Sequence, residues 1–119
     1  MTKPYQQTQV QHTVLFEFRD DISQDQIDEV FRSIVSFKTQ EKIPGILSIS
    51  YGPHNSPEGL NQGFNYGMTM RFESVEARDA YIPHPEHKKV VDMILPLVKN
   101  GANSVIAVDW YLTGDNEIE

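Results

Sequence analysis

Apolar residues return along this chain in two rhythms, every second position and every third or fourth. From Gln11 to Phe18 they alternate: His12, Val14, Phe16 and Phe18 share one face, and Thr13, Leu15 and Glu17 the other. That alternation, with its β-branched and aromatic content, predicts a strand. A helix follows. Ser23 and Gln26 form a capping box, Asp25 sits near the positive end of the dipole, and Ile27, Val30, Phe31, Ile34 and Val35 make an apolar stripe. Ile43-Pro44-Gly45 should end that helix near Lys42.

A second strand is predicted over 46–51, with Leu47, Ile49 and Tyr51 on one face and Ser48 and Ser50 on the other. Residues 52–63 are dense in turn formers and read as a loop. Residues 64–72 alternate strictly, placing Phe64, Tyr66, Met68, Met70 and Phe72 together. Ser74 caps a short helix over 74–81, Pro83 interrupts it, and a second helical piece starts at Pro85. Val90, Val91, Ile94, Leu95 and Val98 are its buried stripe, and Pro96 should kink or end it. The last strand, 104–112, carries Ile106, Val108 and Trp110 on one face.

The order is β-α-β-β-α-β, an α+β chain. Right-handed crossovers place strand one in the middle of a four-stranded antiparallel sheet, with both helices on one face: a ferredoxin-like fold. The apolar faces go under the helices. The other face mixes Thr13, Glu17, Ser48, Ser50, Asn65, Thr69, Arg71 and Asp109 with Leu15, Ala107 and Tyr111, and Glu17 could pair with Arg71. Such a face suits solvent or a symmetry mate equally.

Composition narrows the function classes. The 119 residues make one domain, with a flexible N-terminal arm expected over 1–8, the folded domain over 9–113 and an acidic tail over 114–119. The net charge is −7 and the only basic run is Lys88-Lys89, so nucleic acid and anionic membranes are not expected partners. There are no cysteines, which removes disulfides, zinc–thiolate sites and thiol catalysis. No apolar run approaches membrane-spanning length, and a cytoplasmic location is expected.

The segment Ala80-Tyr-Ile-Pro-His-Pro-Glu-His87 concentrates the candidate chemistry. Together with the opening His12-Thr-Val-Leu-Phe-Glu-Phe18 and the strand Gly63-Phe64 to Phe72-Glu73-Ser74, it resembles the stress-responsive dimeric α/β-barrel family, often called Dabb. The order and spacing match from about residue 10 to residue 112. The resemblance implies a ferredoxin-like monomer that dimerises sheet to sheet into a closed barrel, with a cavity in each subunit between helices and sheet.

One branch of that family closes linear polyketides by an intramolecular aldol step. The resemblance to it implies His87 as the catalytic base and Tyr81 as its hydrogen-bonding partner, with His12 and Tyr66 in a ligand pocket. Position 66 departs from the branch, which has histidine there. No metal and no cofactor are implied; the expected partners are a second copy of the chain and a small carbonyl-containing ligand. Neutral histidine suits the removal of a proton between two carbonyls, and a tyrosine can donate to the oxygen where charge develops. Against this stands a plainer reading. His87 could simply occupy the first turn of a helix, His84 cap it, His12 belong to the core, and His54 be solvated or part of a lid. Two functions therefore stand side by side: a small-molecule-binding stress-response protein, and a cofactor-free cyclase or lyase.

Overall fold

The computed structural model describes residues 8–118. Its elements are β1 (Gln9–Phe16), α1 (Gln24–Thr39), β2 (Ile46–Pro53), β3 (Tyr66–Phe72), α2 (Val75–Tyr81), α3 (Pro85–Ile94) and β4 (Val105–Leu112), with two 3₁₀ turns between α3 and β4. The sheet order is β2-β3-β1-β4, and every neighbouring pair is antiparallel. This is the ferredoxin-like βαββαβ arrangement expected. The arm expected over 1–8 lies, apart from Thr8, outside the described residues.

Local chemistry sets the boundaries. The Ser23 side chain accepts from the Gln26 backbone, and the Gln26 side chain accepts from the Ser23 backbone at 2.8 Å, closing the capping box of α1. The helix stops at Thr39, three residues before Lys42. Glu41 takes a left-handed φ of 53°, and the chain wraps so that the Ile43 amide bonds the Phe37 carbonyl at 3.1 Å. Ile43 thereby closes the base of the core. Gly45 then passes close beneath α2. It has φ 90°, and a Cβ there would lie 2.5 Å from the Ala77 Cβ, so only glycine lets α2 approach β2.

Phe16, Phe18, Phe31, Phe37, Phe72 and Met70 are fully buried between the helices and the sheet. Phe16 and Phe18 stack at 5.4 Å, and Phe31 meets Phe16 edge-on at 5.8 Å.

Three expectations need correction. The parity of β4 is inverted: His12 pairs with Asp109, Val14 with Ala107 and Phe16 with Val105, so these three residues of β4 turn toward the helices. Ile106, Val108 and Trp110 stand on the open face instead. In β2, a bulge between Ile46 and Ser48 puts Ile46 in the core and leaves Leu47 exposed. Glu17 and Arg71 are not partners, because Arg71 faces Gln11 while Glu17 lies past the far end of the β1–β3 ladder. Lys99 reaches Glu17 at 3.7 Å, and Glu117 reaches Arg71 at 3.4 Å. In the acidic tail the Asn116 side chain also donates to the Tyr111 carbonyl, at 2.6 Å.

Candidate functional site

A cavity of about 520 Å³ lies between the sheet and the helices α1 and α3. Its walls are apolar: Val14 and Phe16 from β1, Ile34 from α1, Met68 from β3, and Val90 and Ile94 from α3. Ala102, Val105 and Ala107 line the β4 side, and their small side chains leave the volume unfilled. At one end the lining turns polar, where His12, Asp109, Tyr81 and His87 converge. A mostly apolar hollow with a few convergent polar groups is the usual form of a small-molecule site.

The helix junction puts two of these groups in place. Tyr81 is the last residue of α2 and His87 lies in the first turn of α3. Between them, the His84 side chain caps α3 by accepting from the Glu86 amide at 3.1 Å, and Pro85 occupies the first turn. His84 is thus a structural cap, as its spacing suggested. The His87 ring stacks on the Tyr81 ring at 4.1 Å. Its Nδ1 lies 2.9 Å from the Ile82 carbonyl. A carbonyl only accepts, so Nδ1 carries the proton and neutral His87 has its lone pair on Nε2. Burial, opposed in part by that carbonyl, pushes the His87 pKa below the ordinary histidine value, and nearby His12 pushes the same way. The site thus favours the neutral form of the ring.

Tyr81 is almost fully buried. Burial first, and the Asp109 charge second, push its pKa well above the ordinary tyrosine value. Its hydroxyl stays protonated throughout the physiological range and can only act as a neutral donor or acceptor.

β1 and β4 supply the remaining pair. His12 Nδ1 lies 2.6 Å from Asp109 Oδ1, and Arg78 Nη1 donates to Asp109 Oδ2 at 2.7 Å. The His12 ring meets the Tyr81 ring edge-on at 5.7 Å. Three of the four residues singled out from the sequence, His12, Tyr81 and His87, thus share one corner. Tyr66 does not line this cavity. It stacks on Phe31 at 5.6 Å, and its hydroxyl accepts from Gln24 at 3.0 Å. His54 lies exposed on the loop, beside a second hollow over the open face of the sheet.

Asp109 and Arg78 were missed because their signal is spatial. Asp109 alternates with apolar neighbours, a pattern that reads as a solvent-face residue, and only its register opposite His12 puts it on the cavity side. Arg78 stands three residues before Tyr81, one helical turn away on the same face, and that spacing was the available clue.

The family model described as "Stress responsive A/B Barrel Domain" matches residues 10–112. Over 78 residues the chain is 30% identical to olivetolic acid cyclase of Cannabis sativa, covering 66% of this chain and 75% of that one. Its fold superimposes on the crystal structure of an Arabidopsis thaliana protein with a TM-score of 0.76 at 28% identity, covering 87% and 95% of the two chains. A dimeric protein of unknown function with a ferredoxin-like fold from Bacteroides fragilis matches with a TM-score of 0.64 at 25% identity, covering 91% and 100%.

Proposed function

The chain belongs to the stress-responsive A/B barrel domain family, and on that premise we propose that it is a homodimer whose subunits each bind an apolar, carbonyl-bearing small molecule and act on it without a cofactor. The observation that carries the chemistry is the stacked Tyr81–His87 pair at the polar end of an apolar cavity. His87 Nε2 takes an acidic proton from the carbon between two carbonyls. The Tyr81 hydroxyl donates to the enolate oxygen as charge develops there, and His12 Nε2 accepts from an enol hydroxyl further along the same molecule. The resulting carbanion closes on a second carbonyl of the same molecule, and the proton held by His87 passes to the new alkoxide. The similarity to a plant cyclase supports this aldol-type reading over simple binding.

Dimerisation rests on the open face of the sheet. Leu15, Ile106, Val108 and Trp110 form an apolar group there, each at least 37% exposed in the single chain. A patch of that kind asks for a cover, and the dimeric Bacteroides relative supports a second copy of the chain. The cysteine-free composition suits a cytoplasmic location. Among the described residues no helix is long and apolar enough to cross a membrane.

The test is cyclisation of a linear β-polyketo thioester, followed by loss of substrate absorbance and by product mass. Turnover by the wild type, with a fall of about 100-fold or more in kcat for His87→Ala and a comparable fall for Tyr81→Phe, is expected. Equal turnover in all three folded proteins would remove these residues from the chemistry and leave the binding reading.

A further inference from the structure

We infer that Arg78 is a positioning residue for the site: by clamping Asp109 it fixes the His12 ring in its Nδ1–H form and keeps Nε2 as the acceptor offered to the cavity. The inference deepens the proposed reaction and rests on it only for the catalytic consequence.

The geometry is a chain of three side chains from three elements. Arg78 of α2 donates to one oxygen of Asp109 on β4, and the other oxygen lies 2.6 Å from His12 on β1. An ionised carboxylate accepts through both oxygens and donates through neither, so His12 must present Nδ1–H to it. The neutral ring then has its lone pair on Nε2.

A carboxylate held by one partner can turn about its side-chain bond. One held at both oxygens cannot turn without breaking a charge-assisted bond. Arg78 is therefore what makes the His12 orientation single-valued. The charged and titratable groups around Asp109 are few. His12 comes from β1, and Arg78 and Tyr81 come from α2; His87 of α3 stands behind Tyr81. Arg78 also meets Asp79 at 2.8 Å, but Asp79 is 61% exposed and that pair is screened by water. The Asp109 pair is the better shielded, at 19% and 24% side-chain exposure.

The helix delivers this arrangement as a unit. Arg78 and Tyr81 are one turn apart on α2, so the element that carries the proposed donor also carries the clamp. Gly45, by letting α2 come close to β2, positions both at once.

The experiment reads the ring directly and needs no substrate. Nitrogen-15 NMR of the histidine side chains separates the two neutral forms. In the wild type, the neutral His12 ring is expected to show one form, protonated at Nδ1. Arg78→Met is expected to give a mixture with both nitrogens near their averaged positions, and Arg78→Lys is expected to restore most of the single form. With the β-polyketo thioester, Arg78→Met should lower kcat by about tenfold with KM little changed, since misaligned groups slow the step more than they weaken binding.

An unchanged His12 spectrum in folded Arg78→Met would overturn the inference. A second measurement uses the wild type alone: slow rotation of the Arg78 guanidinium is expected, and free rotation would equally overturn it. If wild-type protein turned over none of the thioester while the His12 form still followed Arg78, the clamp would stand and the proposed reaction would fall.

Discussion

The two faces of the sheet solve opposite problems with the same strands. Toward the helices, β1 and β3 bury Val10, Val14, Phe16, Met70 and Phe72, and β4 sets the small or polar Val105, Ala107 and Asp109 against the cavity, with Tyr111 beyond them opposite Val10. The helix face is therefore packed at one side and hollow at the other, and the hollow holds the titratable groups. On the open face the roles reverse: β1 and β3 show Gln11, Thr13, Thr69 and Arg71, while β4 shows Ile106, Val108 and Trp110. One strand, read in one parity, thus furnishes a cavity wall on one side and an exposed apolar group on the other. A strand's apolar face, then, does not have to face its own core.

The sharpest way to break this contrast is to damage the packed side. Phe72→Ala should cost about 3–5 kcal/mol of folding stability, measured by denaturant unfolding, because a fully buried ring is replaced by a void. On the open face, Val108→Asp with Trp110→Asp should weaken the dimer by about 100-fold or more in sedimentation while each chain keeps its circular dichroism spectrum. If those two changes instead unfolded the chain and left no monomer, the faces would not be separable.

A third test uses pH. Burial holds the native His87 below the ordinary value, so the native state favours its neutral form. Its contribution to stability is full above the unfolded value of about 6.5 and is lost as pH falls through it toward the lowered native value. The acid limb of turnover should likewise fall below the ordinary histidine range, and a limb above it would contradict a buried base. The smallest effect belongs to neither face. Ser23→Ala should cost about 1 kcal/mol by removing the α1 cap, and leave turnover and assembly as they were.

The parts of the fold that follow local rules were legible in the sequence. The capping box at Ser23, the apolar stripe of α1, the strict alternation of β3 and the His84-Pro85 cap each have a short-range cause, and each stands where its cause puts it. What failed depends on long-range pairing. The parity of β4 is decided by its register against β1, which no pattern within β4 reports. The bulge at Leu47 shifts a face by one residue, and the Pro44-Gly45 just before it reads in sequence as the stop of α1 rather than as the mark of a bulge.

The candidate site divides along the same line. His12, Tyr81 and His87 were legible through the family resemblance, and they meet. Tyr66 belongs to the same strand face as Met68 but lies toward the Gln24 end, outside the cavity. Asp109 depended on the inverted parity and so stayed hidden, and Arg78 became meaningful only once Asp109 was beside it.

Under the proposed function, the polar end of the helix-side cavity is a working acid–base corner. The most direct measurement is the NMR response of the four histidine rings to an alkyl β-diketone. His12 and His87 should shift together in a saturable way, while His84, engaged as a helix cap, and His54, on the loop over the open face, stay still. Four unmoved rings, or a response confined to His54, would contradict it and transfer attention to the open face of the sheet.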